Sequence, residues 1–184
     1  KQVKVWRKMF HPNFQINVNT SPVQFQDQST HHWSNLIEDI GIPAQAVGIE
    51  ITESMLMEGH EDISSHLISL RDLGFQVSLD DFGTGYSSLA YLRRFDIDYL
   101  KIDKSFVDHI AENSDDKVLC EAIVVMAHRL GLKVVAEGIE TAEQAEILKS
   151  CQCDYGQGYH LSKPLPASEF EKFLSDYKNN DSNS

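Results

Sequence analysis

The sequence predicts an α/β protein of the (β/α)8-barrel type, here lacking the first strand or strands and a helix. Three observations lead there. Short β-branched runs alternate with amphipathic helical stretches, each run is apolar on one side and polar on the other, and a polar residue closes each run. Strand-then-helix repetition implies a parallel sheet covered by helices.

In chain order, residues 1–10 read as the end of an upstream amphipathic helix, without the apolar stretch and cleavage site of a signal peptide. A longer parent protein is therefore expected. The strands are expected at Phe14–Asn19, Val47–Thr52, Gln76–Asp80, Tyr99–Asp103, Lys133–Glu137 and Cys153–Gln157. Between them, helices are expected at Ser29–Ile40, Glu61–Leu73, Ser87–Phe95, Asp115–Leu130 and Thr141–Cys151, with a last one at Ala167–Lys178. Gly74 and Gly131 stop two of these helices. The barrel domain spans 11–178, and the polar residues 179–184 are expected to be a disordered tail.

Alternation within the strands separates a barrel from an open doubly wound sheet. Ile16/Val18, Ile49/Ile51, Val77/Leu79, Leu100/Ile102 and Val134/Ala136 form an apolar face suited to packing under helices. The opposite face carries Asn17/Asn19, Glu50/Thr52, Ser78/Asp80, Lys101/Asp103 and Val135/Glu137. Such a face is too polar to lie beneath a second helix layer, as a doubly wound sheet would require. A barrel opening into a polar site accommodates it. A full barrel has eight strands and about 250 residues, whereas six strands are counted here, so roughly the first quarter is expected to be missing.

Composition narrows the function classes. The chain has 184 residues, 41% hydrophobic and 24% charged, which suits one globular domain. No apolar run approaches the roughly 20 residues of a membrane-spanning helix, so this segment is not expected to insert into a membrane. A net charge of −12 argues against binding DNA, RNA or an anionic membrane surface. An anionic substrate would need divalent cations to bridge it to so acidic a site. Cys120, Cys151 and Cys153 form no disulfide framework and fit a reducing cytoplasm. The eight histidines show no metal-binding spacing.

Polar residues at the strand ends are Asn19, Glu50, Asp80 with Asp81, Lys101 with Asp103, Glu137 and Gln157. Barrel enzymes build their active sites at that end from several strands. Carboxylates and amide oxygens without sulfur or imidazole suit hard cations such as Mg²⁺, Mn²⁺ or Ca²⁺. The carboxylates gathered at one mouth repel one another, and two divalent ions would relieve this while clamping a phosphoryl transfer. Lys101 either orients the attacking water or offsets phosphate charge; the plainer alternative is a buried salt bridge to Asp103 or Asp81. Asp80-Asp81-Phe82-Gly83 contains a kinase-like tripeptide, but no glycine-rich nucleotide loop or catalytic loop accompanies it. The glycines around it suggest a loop able to close over a ligand, or a simple tight turn.

Asn19-Thr-Ser-Pro, Glu50-Ile-Thr-Glu53, Asp80-Asp-Phe-Gly-Thr-Gly-Tyr-Ser-Ser-Leu89, Leu100-Lys-Ile-Asp103, Val135-Ala-Glu-Gly-Ile-Glu140 and Gln157-Gly-Tyr159 with Lys163-Pro-Leu-Pro166 resemble the EAL family in order and spacing. The resemblance covers about Phe14 to Leu174. It implies a modified TIM-type (β/α)8 barrel that hydrolyses cyclic di-GMP to linear pGpG with Mg²⁺ or Mn²⁺ in a two-metal site, Ca²⁺ being inhibitory. On the same resemblance, Asn19, Glu50, Asp80, Asp81 and Glu137 are metal-site positions and Asp81 is also counted catalytic. Lys101 places the attacking water, and Glu137 is a candidate general base. Gln157 and Asp103 lie at the substrate rim. Glu53 holds the loop after Asp80, and the loop 81–88 couples substrate, metal and dimerisation. The resemblance further implies a homodimer and upstream sensor or GGDEF-type domains, with a parent that could be membrane-anchored through them.

One departure stands out: the Glu-Ala-Leu tripeptide of the family's first strand is absent from this chain. The parent is therefore expected to be catalytic, while this segment alone could be inactive. A non-catalytic cyclic-di-GMP receptor is the alternative, and an enolase-like barrel using Lys101 as base is a more distant one.

Overall fold

The computed structural model describes residues 1–21, 30–57, 61–85, 92, 95 and 97–181. Six parallel strands form one sheet in chain order: β1 (Ile16–Asn19), β2 (Val47–Thr52), β3 (Gln76–Phe82), β4 (Tyr99–Ile102), β5 (Lys133–Ala136) and β6 (Tyr155–Gly156). The sheet is open, with β1 and β6 at its edges, and describes a half-barrel.

The helices are α1 (Gln2–Met9), α2 (Thr30–Ile40), α3 (Glu53–Met57), α4 (Glu61–Asp72), α5 (Lys104–Val107), α6 (Asp115–Arg129), α7 (Ala142–Ser150) and α8 (Ala167–Asp181). Their starts have local causes. Ser114 caps α6 by accepting from Lys117 N, and Asp115 and Asp116 complement the helix dipole in its first turn. At α7, Thr141 and Gln144 form a reciprocal capping box. The sequence reading missed α3 and α5, and it ended α8 at Lys178. The helix expected at Ser87–Phe95 lies largely outside the described residues, as does the second half of the loop 81–88.

The apolar face read from the strands is the core. Ile49, Ile51, Val77, Leu79, Leu100, Ile102, Val134 and Ala136 are all buried under the helices, while Ile16 and Val18 at the β1 edge are partly so. Each fully buried valine, leucine or isoleucine among them contributes about 1.5–3 kcal/mol. On the opposite side the sheet encloses a trough of about 940 Å³ that reaches Glu50 and Gln157. Phe14, expected in β1, instead meets Trp6 and Phe170 edge-on, with ring centroids at 5.5 and 6.1 Å.

Two aspartates repeat one device at the N-terminal ends of strands. Asp98 Oδ2 accepts from Val77 N at 2.9 Å, and Asp154 Oδ2 accepts from Val134 N at 2.8 Å. Asp154 also meets His128 Nε2 at 2.8 Å. Burial alone would raise the Asp154 carboxyl, but the bonds from His128 and Val134 outweigh it and hold the group below its ordinary 3.8. A depressed carboxyl stabilises the fold above the unfolded value and loses that contribution as pH falls through the folded one. Asp154→Ala should thus cost about 1–2 kcal/mol at neutral pH. Urea titrations should show this gap constant at neutral and mildly acidic pH and closing below 3.8.

Candidate active site

The parallel register brings the polar strand ends side by side. Asn19 stands opposite Glu50, Thr52 opposite Asp80, and Lys101 opposite Val135, two residues before Glu137. Lys101 is buried at the centre. Its Nζ lies 3.0 Å from Glu50 Oε2, 3.0 Å from Asp80 Oδ1 and 2.6 Å from Glu137 Oε1. These partners come from β2, β3 and the end of β5, not from Asp103 or Asp81, the partners weighed from sequence.

The charges shift accordingly. Burial pulls the Lys101 ammonium down, but its bonds to Glu137 and Asp80 and the field of Glu50 outweigh it and the net shift is upward. The three carboxylates thus favour the charged ammonium. Burial raises the Glu137 carboxyl, and Lys101 only partly compensates. Asp81 is raised too, first by burial and then by the neighbouring Asp80 and Asp103.

Consecutive residues of a strand point to opposite faces, so Asp80 and Asp81 should diverge. They do not. The β3–β4 register shifts between Leu79 and Phe82, and Asp81 takes a left-handed conformation with φ 55°. Asp81 N donates to Asp80 Oδ1 at 3.0 Å, and the turn closes through Thr84 Oγ1 donating to Asp81 O at 2.9 Å. As a result, carboxylate oxygens of Asp80, Asp81 and Glu137 all lie within 4.8 Å of one another.

Two side chains brace this turn. Gly83 N donates to Glu53 Oε2 at 3.1 Å, and Glu53 is buried. The ring of Phe106, in α5, lies where a Cβ on Gly83 would be, 2.8 Å away, and Gly83 has φ 96°. Only glycine meets both conditions.

The remaining expected residues fall around the cluster. Gln157 Nε2 donates to Glu137 Oε1. Asp103 caps α5, accepting from Ser105 N at 2.9 Å; burial would raise its carboxyl, but bonds from the Ser105 side chain and from the Ser105 and Lys104 backbone outweigh it and hold the group low. Asn19 is exposed at the end of β1, beside Glu50. Sequence reasoning left out Asn17, whose Nδ2 donates to Glu50 Oε1 at 2.9 Å. Its place two residues before Asn19, on the same polar face, was the available signal.

The donors are all oxygen, with Asp80, Asp81 and Glu137 converging and Glu50 and Asn19 adjacent, a set that fits a hard divalent cation. Fold and site together define a (β/α)-barrel protein with an acidic mouth built around a buried lysine. The chain belongs to the EAL domain family, which it matches over residues 1–164.

It is 46% identical over 142 residues to the cyclic di-GMP phosphodiesterase NbdA of Pseudomonas aeruginosa, covering 77% of this chain and 18% of NbdA. It is 37% identical over 170 residues to the bifunctional diguanylate cyclase/cyclic di-GMP phosphodiesterase MucR of the same organism, covering 92% of this chain and 25% of MucR. The solved PaMucR phosphodiesterase–c-di-GMP complex superposes with a TM-score of 0.86 at 37% identity, over 92% of this chain and 69% of that one. Klebsiella pneumoniae BlrP1 in its manganese/cyclic-di-GMP complex gives 0.80 at 28% identity, over 89% of this chain and 42% of that one. The chain thus spans a quarter or less of these curated relatives' lengths.

Removing the Lys101 charge strands three carboxylates around one point. Lys101→Met should destabilise the chain by about 3–5 kcal/mol in chelator. Added Mn²⁺ should recover part of that loss, read as a larger thermal upshift than in wild type. Equal Mn²⁺ shifts in both proteins would mean that these carboxylates do not share a cation site.

Proposed function

We propose that the protein hydrolyses cyclic di-GMP to linear pGpG at this site, in second-messenger signalling. The observation that carries the reading is the convergence of Asp80, Asp81 and Glu137 beside Glu50, around a buried lysine. Asn19, Glu50, Asp80, Asp81 and Glu137 would hold two Mg²⁺ or Mn²⁺ ions. Such ions, when bound, polarise the phosphodiester and acidify water.

The chain's own groups do the rest. Lys101 cannot act as a base while its ammonium is held charged, so it donates: it orients a water and offsets charge that builds on the phosphate. Glu137 suits the proton-accepting role, because burial raises its carboxyl toward the working range of a base. Its acceptor atom is fixed by Lys101 and by Gln157. Asp81, raised as well, stands beside Asp80 on the strained turn and acts on the same water or phosphate. Glu53 keeps that turn in its working shape through Gly83 N. Asp103 and Gln157 border the substrate.

With Mn²⁺ and cyclic di-GMP, chromatography should show pGpG, and Asp80→Ala or Lys101→Ala should lower kcat at least about 100-fold. Calcium in place of Mn²⁺ should support binding without turnover. Binding without cleavage under any divalent ion, surviving Asp80→Ala, would instead identify a receptor, the reading that competes with catalysis.

The proposal extends to a cytoplasmic homodimer attached to upstream sensor or GGDEF-type domains, as the length of the relatives and the two activities in MucR's name suggest. Three free cysteines accord with a reducing compartment. Among the described residues no helix is long and apolar enough to cross a membrane. On α6, Val118, Leu119 and Val125 are exposed at helical spacing and offer an apolar stripe to a second copy. Val118→Glu with Val125→Glu should turn dimers into monomers in light scattering, while unaltered mass would remove this helix as the interface.

A further inference from the structure

The carboxylates of the cluster come from β3 and from the end of β5, and α5 follows β4, the strand between them. On one side of α5, the Phe106 ring lies against Gly83 in the turn that carries Asp81. On the other, a Cβ on Gly138 would run into the Lys104 side chain, so α5 sits directly on the residue after Glu137. A helix of four residues is too short to hold its shape by internal bonding alone. Asp103 fastens its start. Its end is fastened from another element.

That fastening is Gln144, in the first turn of α7, which is only 8% exposed. Its Nε2 donates to Val107 O, the last carbonyl of α5, at 3.0 Å, and lies 3.5 Å from Asp108 O. Its Oε1 accepts from Glu140 N at 2.8 Å and from Thr141 N at 3.0 Å. The capping box of α7 needs only the oxygen, and a glutamate would serve it equally well. The amide nitrogen has no part in that cap and reaches a carbonyl 37 residues earlier in the chain. One buried amide thereby ties the segment after Glu137 to α5, using both of its ends.

We propose that Gln144 is a positioning residue of the carboxylate cluster: it holds α5 and the segment after Glu137 at a fixed separation, and so sets the spacing between Glu137 and the Asp80–Asp81 turn. The proposal rests on that cluster binding a divalent cation, as the functional reading requires. The path is short and contiguous. Gln144 holds the end of α5, Phe106 on α5 braces Gly83, and the turn at Gly83 gives Asp81 its place. Small divalent ions such as Mg²⁺ tolerate little error in ligand spacing. Groups that orient ligands from behind therefore change metal affinity without touching the metal.

The test is calorimetric titration with Mn²⁺ of wild type, Gln144→Glu, Gln144→Ala and Thr141→Ala, with a melting temperature for each. Gln144→Glu keeps the oxygen that caps α7 but turns a second oxygen toward Val107 O, which severs the tie to α5 alone. It should weaken Mn²⁺ binding about 10-fold, although its added negative charge by itself would favour a cation. Thr141→Ala removes the cap and leaves the tie, so its melting temperature should fall while its Mn²⁺ affinity stays at the wild-type value. Gln144→Ala loses both, should bind Mn²⁺ as weakly as Gln144→Glu, and decides the question if the glutamate variant does not fold. Wild-type affinity in the Gln144 variants overturns the proposal and leaves the functional reading standing. Thr141→Ala weakened as much as they are does the same, because the loss would then belong to the start of α7. Wild-type protein that takes up no Mn²⁺ refutes the functional reading and this role with it.

Discussion

The ammonium of Lys101 is the interaction on which the site depends. A parallel half-barrel sets the ends of neighbouring strands next to one another, and here those ends carry Glu50, Asp80 and Glu137. Without a cation, three partly buried carboxylates so close would repel and draw water into the sheet. Lys101 reaches all three from the strand between them, within 3.0 Å of each. One side chain thus offsets the charge, fixes the acceptor atoms and stays protonated. The arrangement suits a site whose charge balance changes when divalent cations enter.

The second constraint is the turn at Asp81. A regular strand would send Asp80 and Asp81 to opposite faces and bury one carboxylate among Leu79 and Ile102. The register shift and the left-handed Asp81 instead direct both toward the mouth. Strain of this kind persists only where surroundings enforce it. Glu53 from α3 and Phe106 from α5 do so, the first bonding the Gly83 amide and the second filling the space beside its Cα. The two short helices that sequence periodicity failed to reveal are therefore the ones that supply the braces. At four and five residues, neither is long enough to repeat a 3.6-residue pattern.

Legibility differed among the strands for physical reasons. The range Val47–Thr52 is β2 in full, because β1 pairs it from Val47 to Glu50 and β3 from Gly48 to Thr52, so that every residue has a partner on at least one side. The expected Cys153–Gln157 shrinks to Tyr155–Gly156, since an edge strand is defined only by the residues its single neighbour reaches. Phe14 leaves β1 for an aromatic cluster with Trp6 and Phe170, a contact between residues far apart in the chain that no local pattern encodes. At the site, Asn17 was visible as a face but not as a partner, because only the β1–β2 register sets its amide against Glu50.

By itself, the sequence determined the period-two division of each strand into an apolar and a polar face, and the residue types waiting at the strand ends. Those follow from bonding geometry within one strand, which every local window contains. The tertiary structure decided which of those residues meet. Lys101 is two residues from Asp103, roughly 6.6 Å along an extended strand, whereas adjacent strands lie only about 4.8 Å apart. The lysine therefore finds Asp80 and Glu137 on the strands to either side, and its long side chain reaches one strand further to Glu50, rather than meeting Asp103 along its own strand.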